Sequence, residues 1–139
     1  AWEGLEGMPT VRDANDRESI NQLFEKVVGA VYEVANTLGS GFLEKVYERA
    51  LKTELNGRGI IVEAQAPIQI LYKGKNVGDY YADLLVEDKL IVELKCVDTL
   101  NNEHFAQTLN YLKATDHHVA LLVNFQHPKV EWKRIVQDF

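Results

Sequence analysis

The sequence predicts a mixed α/β fold: helices flanking one central sheet, in the order helix, helix, three or four strands, helix, strand. Three observations lead to it. Apolar residues recur at spacings of three and four over about 16–38 and again over 43–55, which marks two amphipathic helices. After Gly59 the period moves toward two, which marks strands. A helical stretch then separates two strongly apolar strands, the pattern of a right-handed crossover in a mixed sheet.

The first helix carries Ile20, Leu23, Phe24, Val27, Val28, Val31, Val34 and Leu38 on its apolar stripe. Asn15 or Asp16 can cap its start, and Gly39 suits its end. Gly39-Ser40-Gly41 reads as a tight connector. The second helix places Leu43, Val46, Tyr47, Ala50, Leu51 and Leu55 on one side and stops at Gly57 and Gly59. Residues 60–66 and 68–73 read as strands separated by Pro67, because proline cannot donate to a ladder. Lys73-Gly74-Lys75-Asn76 is a turn, and 77–86 and 90–97 are further strands joined around Asp88. Residues 101–114 form the third helix, with Phe105, Leu109 and Leu112 inward and Thr99 or Asn101 as its cap. Val119 to Phe125 (VALLVNF) is the near-continuous apolar run of a strand covered on both faces. Residues 130–139 alternate weakly, as a last strand or a short helix.

At 139 residues the chain is expected to form one domain, spanning 16–139, behind an irregular segment at 1–15. Met8 is the only methionine, so the residues before it read as a tag remnant. Apolar residues make up 46% and charged residues 26%, an ordinary soluble composition. No apolar run approaches the roughly 20 residues a membrane helix needs. No signal-peptide order is visible, and the single cysteine, Cys96, excludes an intramolecular disulfide or a cysteine–zinc site. A cytoplasmic protein that touches no membrane is expected, with Cys96 as a small buried strand residue. The net charge of −6 argues against non-specific coating of nucleic acid, though not against a nuclease whose carboxylates hold metal.

The chemistry concentrates in residues 80–97, YYADLLVEDKLIVELKCV. Asp83, Glu93 and Lys95 are charges inside apolar strands, where an unpaired charge is costly to bury. Glu93 and Lys95 leave one face of a strand, being two apart. A hairpin loop of Glu87-Asp88-Lys89 pairs Val86 with Leu90 and sets Asp83 opposite Glu93. A two-residue loop at Asp88-Lys89 would split the charges between faces. We expect the first register. Asp83 and Glu93 can then bind Mg²⁺ or Mn²⁺, with the Leu94 carbonyl as a third oxygen and water in the remaining positions. Lys95 would orient the water or stabilise charge on the phosphate. The competing reading is a structural ion pair between Lys95 and Asp83 or Glu93.

Two further stretches narrow the choice. Gly41-Phe42-Leu43-Glu44-Lys45-Val46-Tyr47 matches a GxxExxY signature, and Gln107-Thr108-Leu109-Asn110-Tyr111 matches QxxxY. With the aspartate and Glu-x-Lys, the chain resembles the GxxExxY proteins, a prokaryotic family of the PD-(D/E)XK nuclease superfamily, over roughly 20–136. The resemblance implies a restriction-endonuclease-like core of N-terminal helix, antiparallel meander, helix and further strand. It implies Asp83 and Glu93 as metal ligands, Lys95 as the catalytic lysine and Glu44 as an addition to the metal site. Gln107 and Tyr111 would contact substrate or support the site. Tyr47 lies on the apolar stripe of its helix, so core packing weighs at least equally against substrate contact there, and Gly41 serves the turn. The proline of the superfamily motif is absent from Tyr81-Ala82-Asp83.

The expected function is a Mg²⁺- or Mn²⁺-dependent nuclease cleaving phosphodiester bonds in nucleic acid, DNA first, acting alone, as a homodimer or with a protein partner. The alternative is a catalytically silent or partner-dependent nucleic-acid-binding module of the same fold. No phosphate-cradling Gly-rich loop supports a small-molecule enzyme. His104 could approach phosphate, although an exposed polar histidine is the favoured reading; His117 and His118 lack ligand-spaced partners, His127 precedes Pro128 in a turn, and Lys129, Lys133 and Arg134 form a modest basic cluster read as a solvated face ahead of a nucleic-acid backbone contact.

Overall fold

The computed structural model describes residues 14–139, and the irregular segment expected before the first helix lies outside the described residues. Helices α1 (Ala14–Leu38) and α2 (Glu44–Gly57) precede strands β1 (Val62–Tyr72), β2 (Lys75–Val86) and β3 (Leu90–Lys95). Helix α3 (Asn102–Thr115) and strands β4 (Val119–Asn124) and β5 (Glu131–Val136) complete the order. The strands form one five-stranded sheet in the order β1-β2-β3-β4-β5. It is antiparallel except for β3–β4, the pair joined through α3. None of the described helices is long and apolar enough to cross a membrane.

Local differences from the sequence reading have simple causes. Helix α1 starts at Ala14, so Asn15 and Asp16 sit in its first turn instead of capping it, with Asp16 near the positive end of the dipole. Pro67 does not divide two strands. It lies inside β1, which tolerates it because β1 is an edge strand. Leu43 and Val46 on α2 are exposed, while Tyr47, Leu51 and Leu55 are buried. Asn101 caps α3 in a reciprocal box: its side chain accepts from the His104 amide, and His104 Nδ1 accepts from the Asn101 amide. Residues 131–136 are a strand.

Each face of the sheet carries its own apolar layer. Leu84, Val86, Leu90, Val92, Leu94, Val119, Leu121 and Val123 pack under α1 and α2. Ala66, Ile68, Ala82, Ile91 and Ala120 pack with Tyr111 and Leu112 of α3. The β1–β2 ribbon changes sides between these layers. Val62 and Ala64 belong to the first, whereas Ala66 and Ile68 belong to the second. Likewise Leu84 and Val86 face one way and Ala82 the other. A regular strand keeps every second residue on one face, so both strands must rotate at the residue between. Those residues are Gln65 and Asp83. They are missing from a ladder that runs from Val62↔Val86 to Ile70↔Gly78 with no residue inserted at their level. Gln65 has φ +54°, the left-handed region, which lets the ribbon turn over there.

Candidate active site

The β2–β3 pairing takes the register that gathers the charges. Val86 pairs with Leu90 and Leu84 with Val92, which brings Asp83 level with Glu93. Glu87 and Asp88 both take positive φ in the connecting loop. Beyond Leu84 the backbone ladder stops and side chains replace it. The Asp83 amide donates to Glu93 Oε2 at 2.8 Å, and the Leu94 amide donates to Asp83 Oδ2 at 2.8 Å. Each carboxylate is thus held through one oxygen by a backbone amide, at the place where the ribbon turns over.

Glu93 is 4% exposed and shares the face of Ile91, toward α3. Burial, reinforced by the Asp83 charge, pushes its carboxyl up to about 8. Burial also raises Asp83, against the stabilising hydrogen bond from the Leu94 amide. Lys95 Nζ reaches Gln107 Oε1 of α3 at 3.3 Å. Among the described residues no carboxylate comes within ion-pairing distance of Lys95, so the structural ion pair is not formed.

Helix α2 supplies two more carboxylates, one turn apart. Glu44 is exposed at the helix start, with its carboxyl raised first by partial burial and then by Asp83, while Lys95 and the Cys96 amide lower it. Glu48 is 7% exposed and accepts from Lys45 Nζ at 3.2 Å and from Gln65 Nε2 at 3.0 Å. Gln65, at the ribbon crossing, thus ties Glu48 of α2 to the strand beside Asp83, and its side chain lowers the Asp83 carboxyl against the effect of burial. Among the described residues no three acidic, histidine or cysteine side chains close into a ligand cluster. Glu44 stands close enough to the Asp83–Glu93 pair to feel the Asp83 charge.

Tyr111, one turn after Gln107, is buried and tilted against Tyr80 at 5.9 Å. Burial, followed by the Glu93 charge, raises its phenol to about 12. Tyr47 does not reach the site surface. It is fully buried, stacked on Phe125 at 4.6 Å, and its hydroxyl donates to the Gly39 carbonyl at 2.6 Å. That corrects a substrate-contact role: Tyr47 fixes the connector that presents Glu44. Gly41, at φ +108°, serves the same turn. Cys96 is only half-buried and lies just past β3, and burial raises its thiol. His104 caps α3, His117 and His118 bond the carbonyls of Asp88 and Gln137, and His127 bonds that of Asp98. Arg134 bonds Asn21 and lies over the Phe24 ring, which removes it from the basic cluster.

Sequence reasoning missed Glu48, Gln65 and Asn124. Glu48 had a signal, since it sits four residues after Glu44 on the same helical face. Buried Asn124 donates to the Val97 carbonyl at 2.8 Å and accepts from its amide, clamping the chain just after Lys95. Neither Gln65 nor Asn124 stands out in a strand pattern.

A sheet with an aspartate on its second strand, Glu-x-Lys on its third, and helices closing both faces defines a restriction-endonuclease-like fold. A family model for the PD-(D/E)XK nuclease superfamily matches residues 21–135, and the chain belongs to that superfamily. Two solved structures share the fold. One is an alkaline exonuclease from Laribacter hongkongensis, at 19% identity and TM-score 0.50, over 68% of this chain and 55% of that one. The other is SSO0001, at 18% identity and TM-score 0.50, over 99% of this chain and 73% of that one. The chain thus spans little more than half the length of the exonuclease. No curated protein matches it.

Proposed function

We propose that this protein is a divalent-metal-dependent nuclease of the GxxExxY group, hydrolysing phosphodiester bonds in DNA at Asp83, Glu93 and Lys95. The observation that carries this is the pair of carboxylates locked by reciprocal amide bonds beside a lysine held by Gln107 rather than by an ion pair. A lysine buried only for structure would take the nearest carboxylate.

The donor set fits Mg²⁺ or Mn²⁺. Each carboxylate keeps an oxygen that no backbone amide holds, and crowding and burial raise both groups, which is the imbalance a hard cation relieves. With two protein carboxylates in reach, the remaining positions fall to water and substrate phosphate, as Mg²⁺ prefers. The ion would lower the pKa of a bound water and screen the phosphate. The protein's own groups do the rest. Lys95 Nζ, aimed by Gln107 Oε1, donates to a phosphate oxygen as charge develops on it. Glu44, which feels the Asp83 charge, is the further carboxylate that adds to the metal site, and Glu48 with Gln65 braces the strand crossing beside it.

The test is cleavage of single-stranded, duplex and branched DNA, and of RNA, with Mg²⁺ or Mn²⁺, beside Lys95→Ala and Asp83→Ala. Cleavage that survives both substitutions would defeat the assignment. A partner-dependent module is the second reading, favoured by the net charge of −6, which leaves little positive surface to hold a phosphate backbone unaided. Binding without turnover, restored to cleavage by a basic partner, would support it.

A further inference from the structure

A groove of about 860 Å³ lies between α3 and the far half of the β1–β2 hairpin, beside the candidate site. It does not contain the carboxylates. It meets them at its inner end, through Gln107, which bonds Lys95, and through Tyr111, which lies in the field of Glu93. Two small residues are among its lining, Gly78 on β2 and Ala106 on α3. Gly78 does not need glycine for its backbone, since it has no positive φ. A Cβ there would lie 3.4 Å from Tyr80 Cε2 and 3.7 Å from Ile70 Cγ1, ordinary contact distances, so a branched side chain would crowd the Tyr80 ring.

Tyr80 lines this groove. The residue is 49% exposed, and its ring rests against buried Tyr111 at 45°. An aromatic residue left half open, backed by a buried ring and sharing its groove with the glutamine that bonds Lys95, suits a planar partner. A nucleobase is such a partner, and every base has a face to stack. Asn110 offers an amide to a base edge and Lys113 a charge at the outer end. Charge chooses between single and double strands. Duplex binding relies on many phosphate contacts, which a chain of net charge −6 supplies poorly, whereas on a single strand each stacked base adds affinity of its own.

We propose that this groove takes an unpaired nucleotide adjacent to the scissile phosphate, its base stacked on Tyr80, so that the substrate is single-stranded DNA or a frayed end. The inference rests on the nuclease reading for its position, but stacking can be measured without turnover. The probe is a short fluorescein-labelled oligothymidylate, followed by anisotropy in EDTA, with a duplex of equal length in parallel. Tyr80→Ala should weaken single-strand binding about tenfold, as loss of one stacked base does, and Tyr80→Phe should retain it. Gly78→Val, which crowds the Tyr80 ring, should match Tyr80→Ala; melting temperatures verify that each variant is folded. Wild-type protein that fails to bind the oligothymidylate, or Tyr80→Ala and Gly78→Val that both bind within twofold of wild type, would overturn the groove even if the protein cleaves DNA. Conversely, Tyr80-dependent binding with no cleavage under any metal would keep the groove and sink the nuclease reading.

Discussion

Asp83 and Glu93 hold each other in place without a shared proton or ion: the Asp83 amide donates to Glu93 Oε2 at 2.8 Å, while Asp83 Oδ2 takes the Leu94 amide. Side chains have replaced a rung of the β2–β3 ladder. The price is two carboxylates crowded in a half-buried place, and several measurable consequences come from it.

The first is a pH dependence of the metal-free protein. Glu93 rises from 4.5 to about 8 on folding, because burial and then Asp83 oppose its charge. Between those values the folded state keeps a proton that the unfolded state has lost. Stability is therefore full below about pH 4.5 and falls as pH rises toward 8. Melting temperatures in EDTA across that window should decline for wild type and flatten for Glu93→Gln. An unchanged slope in the variant would place the titration elsewhere.

A divalent cation should reverse that loss. Mn²⁺ at about 100 times its Kd would add about 2.7 kcal/mol to the folded state. Glu93→Gln and Asp83→Asn should each remove most of the gain, and Glu44→Gln only part of it, since Glu44 is exposed at the start of α2 while backbone amides fix the other two carboxylates. Equal losses in all three would show Glu44 to be a direct ligand.

Lys95 and Gln107 should behave as donor and guide. Lys95→Ala is expected to lower kcat by about 10²–10³, the cost of removing one donor from a developing oxyanion. Gln107→Ala should cost less and leave KM nearly unchanged if its role is to aim Nζ. A Gln107 effect confined to KM would mean that it binds substrate instead.

Gln65 gives a conformational test. Its φ of +54° costs a non-glycine residue on the order of 1–2 kcal/mol, while its side chain contributes a bond to Glu48 at 3.0 Å. Gln65→Gly trades one for the other and should stay within about 1 kcal/mol of wild type in chemical denaturation. Gln65→Val keeps the strain, loses the bond and should fall by about 2 kcal/mol or more. Equal destabilisation by Gly and Val would rule out the left-handed turn.

Tyr47 should act on stability alone. Tyr47→Phe loses the bond to the Gly39 carbonyl and should cost about 0.5–1.5 kcal/mol with KM unchanged. A large KM effect would restore Tyr47 as a substrate contact.

Much of the architecture was legible in the chain because it rests on local periodicity. The helical stripe from Ile20 to Val34, the apolar β4 and the positive-φ turn at Lys73-Gly74 follow from short-range sterics and burial. The Asp83–Glu93 register was legible too, since a one-residue slip would have turned Leu84, Val86, Leu90 and Val92 out of the core. Pro67 misled because an edge position, which permits proline, is a property of the sheet and not of the segment.

The sequence by itself determined the order of the elements, the register of the hairpin and the identity of the charges at its open end. Only the tertiary structure decided that the β1–β2 ribbon turns over at Gln65 and Asp83. That turn lets carboxylates from α2 and a glutamine from α3 meet the same strands. Local patterning specifies which face a strand buries, but a rotation between two apolar layers depends on what packs above and below it, and that information is spread over the whole chain.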